Sequence, residues 1–269
     1  MKKIFSIFVV LILIAGLWLT IRFLFGASED TWICDDGQWV KHGNPSALMP
    51  TSGCGQQLKI PDTTTPDPTI PTAKTPDIVL LDVPFLAQAP FGQWSDAVYQ
   101  NACEEASILM ADLWVRGVKS ISPQEATQDI KDLTDFEDKI FNTFYDLSTA
   151  DTAELMKEYY NYDNVEVKTD ITADDIIQEL LNGNIVIVPM NGQELNNPYY
   201  TQPGPLEHKI LVKGYDFKTD EFITNDCGTR HGESYRYPKD VFFNAIREYP
   251  TGYKEPIVGV TKVMMVIKK

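Results

Sequence analysis

An α+β domain, helices first and antiparallel strands after, preceded by an N-terminal transmembrane helix, is the fold class this 269-residue sequence predicts. Three observations carry it. An apolar run from Ile4 to Ile21 is long enough to cross a bilayer core. Between Cys103 and Leu181, apolar residues recur at three- and four-residue spacing behind helix-capping residues. From Ile185 onward the pattern becomes short apolar runs separated by turn residues. Helices and strands in separate runs predict a helical lobe followed by an antiparallel sheet lobe, with a cleft between them.

Lys2 and Lys3 precede the first apolar run, and Arg22 and a second patch, Phe23 to Phe25, follow it. The two lysines favour a cytoplasmic N-terminus, and Arg22 on the far flank weakens that bias. The run is long for a signal-peptide core, and Phe25-Gly26-Ala27 is a poor small-x-small cleavage site. Residues 1–27 therefore read as an uncleaved signal anchor, with a cleaved signal peptide as the alternative; both export the remainder. Residues 28–60 carry Trp32, Cys34, Trp39 and Cys54, too little for an independent core. In an oxidising compartment Cys34 and Cys54 are natural disulfide partners. A metal site there lacks ligands, since only His42 lies nearby. Residues 61–76, PDTTTPDPTIPTAKTP, cannot bury enough surface to fold and read as an extended spacer.

Residues 77–269 form the main domain. Ile78 to Phe85 reads as a strand. Cys103 opens a helix through Arg116, with Ala106, Leu109, Met110 and Leu113 on its inner face and Gly117 ending it. Ser122-Pro123-x-Glu125 starts another helix, and Asp135 to Asp146 reads as helical too. Thr149 or Asp151 caps a helix through Glu158, and Thr172 caps one through Leu181. Strands follow at Ile185 to Met190, Lys209 to Tyr215, Phe222 to Asn225 and Gly259 to Ile267, with a helix from Pro238 to Arg247 before the last.

Composition is ordinary for a globular protein, 43% hydrophobic and 11% aromatic, but the net charge is −15. That charge argues against a nucleic-acid partner, because a phosphate backbone needs a basic face.

The first turn of a helix, where backbone N–H groups are unpaired and the dipole is positive, stabilises a thiolate. Cys103 is so placed. The bland reading is a small buried apolar residue. His208 opens the most apolar strand, HKILVKGYD, and Asp226 ends the next, FITND, across a short turn. Such a hairpin places the two side by side, which thiol chemistry needs: a base for the thiol proton and a third group to orient the imidazole. Against this, His208 alone reads as a satisfied strand-end histidine, and Asp226 as a turn cap. Asn225 competes with Asp226 as orienter, and since neighbouring strand residues face opposite ways only one can serve. A Cys103–Cys227 disulfide is the strongest rival to catalysis. His231 and Arg230 read as solvated or substrate-contacting, and Trp94, Tyr199 and Tyr200 as cleft lining or packing.

The order Cys, His, then Asp or Asn, with Cys opening a helix and His on a later strand, resembles papain-like cysteine peptidases. LDVPFLAQ (81–88), ACEEASILM (102–110), HKILVKGYD (208–216) and ITNDCG (223–228) bring the likeness closer to the bacteriocin-processing (double-glycine-leader) peptidase-like family, peptidase family C thirty-nine, in its stand-alone branch. The resemblance covers most of residues 79 to 242. It implies a papain-like fold, Cys103 as nucleophile, His208 as general base and acid, Asp226 as orienting carboxylate, and Gln88 with the Cys103 backbone N–H as oxyanion donors. Three positions depart from the family pattern. The Gln88-to-Cys103 interval is long, which brings in Gln93 and Gln100 as donors. Glu104 replaces a common Gly, and its carboxylate opposes thiolate formation. Cys227 stands where Pro is common.

The function expected is that of an exported, membrane-anchored cysteine peptidase acting on a peptide or protein substrate, with no cofactor and no metal. A cell-wall amidase or acyl transferase would use the same residues, and a non-catalytic extracytoplasmic binding module would keep the fold.

Overall fold

The computed structural model describes residues 31–35, 38–42, 49, 76–252, 257 and 259–269. The signal anchor at 1–27, Cys54 with its pairing to Cys34, and the spacer up to residue 75 lie outside the described residues. Among the described residues no helix is long and apolar enough to cross a membrane. The chain divides into two compact units, residues 1–72 and 73–269.

In the first unit, β1 (Thr31–Asp35) and β2 (Gln38–His42) form an antiparallel pair with Cys34 opposite Trp39. Lys41 Nζ sits 5.6 Å from the centroid of the Trp32 ring. The sequence reading assigned no strands here, although Asp36-Gly37 between two β-rich runs is a strong hairpin signal.

The second unit begins with β3 (Ile78–Leu80), shorter than the strand expected to Phe85. Beyond Leu80 the chain leaves the sheet for the loop that ends at the short helix α1 (Ala97–Gln100). Helix α2 (Cys103–Arg116) has the bounds the spacing predicts, and Gly117 closes it at φ 73°. A capping box of Ser122 and Glu125 starts α3 (Pro123–Phe141). This helix is one continuous element, so the separate helix expected over 135–146 is a correction: its first half is the end of α3, and Asn142 caps it. Helix α4 (Thr149–Tyr160) is capped by Ser148 rather than by Thr149 or Asp151. Strand β4 (Val165–Thr169) was not expected; it is five residues long, and Val165 is its one buried residue. Helix α5 (Ala173–Leu181) has a Thr172–Asp175 capping box. Then come β5 (Ile185–Met190), β6 (His208–Asp216), β7 (Glu221–Asn225), β8 (Tyr235–Pro238), α6 (Lys239–Ala245) and β9 (Val263–Ile267).

One antiparallel sheet in the order β4-β9-β5-β6-β7-β8 organises these elements, and β3 pairs with the far end of β6. Helices are not confined to one lobe, as the sequence reading had them. Ile185 and Ile187 of β5, Leu211 of β6 and Met265 of β9 pack beneath Leu109, Met110 and Leu113 of α2, Leu133 of α3 and Leu155 of α4. The intervening residues Val186, Val188, Ile210, Val212 and Met264 face the other way, against Ile176 and Leu180 of α5 and Phe242 of α6. Alternation along a strand sends successive side chains to opposite faces, so a sheet covered on both sides needs these uninterrupted apolar runs. The mixed helix and antiparallel-sheet class holds, with the sheet shared between two cores.

Candidate active site

Three segments meet at one end of the sheet. Helix α2 presents Cys103 in its first turn, β6 presents His208 at its first residue, and the loop after β3 presents Gln88. All three line one cleft of about 920 Å³, together with Trp94, Gln100, Asp146, Tyr199, Tyr200, Arg230 and His231. Cys103 is 3% exposed, His208 2% and Gln88 5%, so each is nearly sealed and reaches the cleft at its tip. The β6–β7 pairing sets Leu211 opposite Asn225, which brings the residues just outside this register, His208 and Asp226, together.

His208 Nε2 lies 2.9 Å from Asp226 Oδ1. That leaves Nδ1 as the ring nitrogen free for proton transfer. Asp226 is fully buried and accepts four further bonds: Gly228 N–H at 3.1 Å on the same oxygen, and Tyr200 Oη at 2.6 Å, Tyr237 Oη at 2.6 Å and Asn197 Nδ2 at 3.1 Å on Oδ2. Burial raises its pKa, but the His208 hydrogen bond and charge and the two tyrosine hydroxyls outweigh it and hold the group below the ordinary carboxylate range. Asn225 faces elsewhere, with its amide on the carbonyls of Pro84 at 2.9 Å and Val83 at 3.3 Å.

Two glycines make room for this pair. A Cβ on Gly228 would stand 2.9 Å from His208 Cε1, and one on Gly232 would stand 1.8 Å from the Asp226 carbonyl oxygen. The sequence signal for Gly228 was the Asp226-Cys227-Gly228 turn. No sequence signal pointed to Tyr200, Tyr237 or Asn197 as supports of Asp226.

Gln88 is tied down on every side. Its Nε2 donates to the carbonyls of Gln100 at 2.9 Å and Tyr99 at 3.1 Å, and its backbone N–H donates to Cys227 O at 3.0 Å. The side chain therefore clamps the chain that enters α2. Gln93 accepts from Phe91 N–H in its own turn. Gln100 lines the cleft.

Cys103 and Cys227 are both free. Cys227 is fully buried, with Sγ 3.6 Å from the Cys103 carbonyl oxygen, Gln88 Oε1 and the Lys209 carbonyl oxygen. Cys103 Sγ donates instead to Glu104 Oε2 at 2.9 Å. Burial, then the Glu104 carboxylate, Cys227 and Asp146 push the Cys103 thiol well above its ordinary range. Asp146, at the cleft wall, is pushed up to about 9 by burial and by the carboxylates of Glu104 and Glu207. The ligand atoms of Cys103, Glu104 and Asp146 lie within 4.8 Å of one another. Glu104 already accepts the Cys103 thiol on Oε2, and Lys209 Nζ lies 3.4 Å from its Oε1, so the set is a hydrogen-bonded network and we assign no metal ligands.

Tyr199 stacks on His231 with ring centroids 4.3 Å apart, and Arg230 reaches the Phe91 carbonyl at 3.4 Å. These contacts tie the turn that carries Arg230 and His231 to the segments that carry Phe91 and Tyr199. A buried acid–base pair and a thiol on a helix N-terminus, both lining one cleft, make a site suited to acyl transfer from an amide carbonyl to sulfur.

The profile of the Peptidase_C39 like family matches residues 80–254. Among solved structures the chain is similar to a crystal structure described as that of a C39-like peptidase from Bacillus anthracis, at 15% identity and a TM-score of 0.46, over 72% of this chain and 99% of that one. Comparison with curated proteins finds no match.

Proposed function

The chain belongs to the Peptidase_C39 like family and is a cysteine peptidase, and from that premise we propose that Cys103 is its nucleophile, His208 its acid–base and Asp226 the carboxylate that orients the imidazole. The 2.9 Å contact between His208 Nε2 and Asp226 Oδ1, at the wall of the cleft that Cys103 also lines, is the observation that carries this reading. The substrate is a peptide or protein chain laid along the cleft.

In acylation the Cys103 S–H bond breaks, the proton passes to His208 Nδ1, and sulfur attacks the scissile carbonyl carbon. The oxygen that becomes negative is met by the backbone N–H of Cys103 and by an amide hydrogen of Gln88, which leaves one of its carbonyl partners to do so. The imidazolium then protonates the leaving amine. Water, deprotonated by His208, hydrolyses the thioester and returns the proton to sulfur. Asp226 stays ionised throughout, because five donors surround it.

The reading extends to location. Lys2 and Lys3 before the Ile4–Ile21 run, and the Pro/Thr-rich stretch 61–76, support a membrane-anchored enzyme whose peptidase domain lies on the outer side. Membrane fractionation with external protease digestion checks it: a membrane-bound chain cut only from outside supports the anchor, and a soluble or shielded chain refutes it.

Hydrolysis is tested with a peptide library digested by the full chain, new termini being read by mass spectrometry. The wild type yields cleavage products and Cys103→Ser yields none. His208→Ala loses about 10⁶-fold in kcat. Cleavage by Cys103→Ser at the wild-type rate would refute the assignment.

A further inference from the structure

One buried charge cluster lies against the nucleophile and takes no part in the chemistry above. Glu104 follows Cys103 in the first turn of α2 and is 1% exposed. Its Oε2 accepts the Cys103 thiol at 2.9 Å. Its Oε1 accepts Tyr249 Oη at 3.0 Å, Leu147 N–H at 3.2 Å and Lys209 Nζ at 3.4 Å. All four partners are donors, the pattern an ionised carboxylate needs. Lys209, beside His208 on β6 and fully buried, is fixed in turn: Nζ donates to the Leu147 carbonyl and to Tyr249 Oη at 3.1 Å, and stands 4.3 Å from the centroid of that ring.

We propose that Glu104 is a positioning residue for the nucleophile, holding the Cys103 thiol as a neutral hydrogen-bond donor in the resting enzyme, with Lys209 and Tyr249 as the brace behind it. The proposal rests on the reading of Cys103 as nucleophile. It makes the resting site a neutral thiol beside imidazole rather than a preformed thiolate–imidazolium pair. When substrate engages, the S–H bond breaks toward His208 Nδ1, sulfur bonds to the carbonyl carbon, and the carbonyl π pair moves to oxygen. Glu104 gives up one donor, keeps its charge, and remains paired with Lys209.

Several groups face the thiol. Glu104 lies on its own helix, Asp146 on the loop before α4 with Glu207 behind it, and Cys227 beyond β7. His208 and Lys209 are on β6, and Tyr249 follows α6. Burial and three of these, Glu104 first, oppose the thiolate. Glu104 is the one in direct contact with sulfur, so its removal is felt most.

The test is alkylation of Cys103 in the full chain by iodoacetamide across pH, read by peptide mass spectrometry. In Glu104→Gln, which keeps the side-chain shape, Cys103 labels at pH 7 about tenfold faster than in the wild type or more, as expected for a thiol titration lowered by a unit. The fully buried Cys227 is the internal control and stays unlabelled while the fold is intact. If Cys227 labels as well, the variant has loosened, and the Glu104→Gln/Lys209→Met double variant, which leaves no buried charge unpaired, decides by the same criterion. Labelling at the wild-type rate or slower in the intact variant overturns the proposal. Peptide hydrolysis by Cys103→Ser is followed in parallel: its survival would refute Cys103 as nucleophile, whereas an unshifted alkylation profile with hydrolysis abolished refutes only the role of Glu104.

Discussion

Asp226 concentrates five hydrogen bonds on one carboxylate, so its replacement separates geometry from charge. In Asp226→Asn the amide keeps the shape but offers His208 Nε2 a donor or a neutral acceptor, and the imidazole loses the partner that fixes its tautomer. We expect kcat for peptide hydrolysis to fall on the order of 10³- to 10⁴-fold with little change in KM. Tyr237→Phe removes one of the two hydroxyls at 2.6 Å and should cost about 1–3 kcal/mol in urea unfolding, with a smaller loss of activity. Gln88 makes a second separable case. Its two amide hydrogens hold the carbonyls of Tyr99 and Gln100, so Gln88→Ala should lower both kcat, by about 10²- to 10³-fold, and the urea midpoint. A fall in stability with kcat intact would assign the oxyanion role to another donor. At this scale Cys103, His208 and Asp226 were legible as candidates because each lies at or next to the end of an element whose pattern is plain, whereas Gln88, inside the loop between β3 and α1, was a candidate only through the family resemblance. Their supports were not legible. Tyr200 reaches Asp226 from 26 residues away and Tyr249 reaches Glu104 from 145, and no local spacing encodes such contacts.

Helix α2 is buried along Cys103–Trp114, acids included. Glu105 lies beside Glu137 of α3, and Thr134 Oγ1 donates to Glu105 Oε1 at 2.7 Å. Burial, then the neighbouring carboxylates, push both acids upward, Glu105 to about 8. Their folded-state affinity for protons exceeds that of the unfolded chain. The stability they contribute is therefore complete below about 4.5 and is lost progressively as pH rises toward 8. Surface acids such as Glu166 and Asp220 are shifted downward by lysine and tyrosine partners, so their effect falls on the acid side of this window. The chain should accordingly be less resistant to urea at pH 8 than at pH 5, and Glu137→Gln should narrow that difference. An equal difference in the variant would show that the α2–α3 acids are not its source. Element bounds were legible where capping chemistry is explicit, as at Ser122, Thr172 and Gly117. They were misread where a helix runs past a polar stretch, as α3 does through Asp135, and where an edge strand is short and mostly exposed, as β4 is.

For the whole molecule, the arrangement that positions the cleft is a sheet whose two faces feed two cores, and the C-terminal strand sits inside it. β9 pairs with β4 on one side and β5 on the other, and all five of its residues are buried. The sequence predicts β9 as one more strand of a sheet lobe, and composition alone does not show that it lies between two strands that precede it in the chain. A strand buried and paired on both sides should not tolerate removal. Ending the chain at Thr261 would detach β4, strip Met265 and Ile267 from one core and Met264 and Val266 from the other. We expect the truncated chain to lose cooperative urea unfolding and to label Cys227 rapidly with iodoacetamide. Residues 77–269, by contrast, contain both cores, every strand of the sheet and the whole cleft. That fragment should unfold in one transition and cleave peptides at the rate of the full chain. A fragment that folds but does not cleave would mean that residues before Asp77 contribute to the reaction. A truncated chain that still unfolds cooperatively would mean that β4 and β9 are an appendage to the peptidase core rather than part of it.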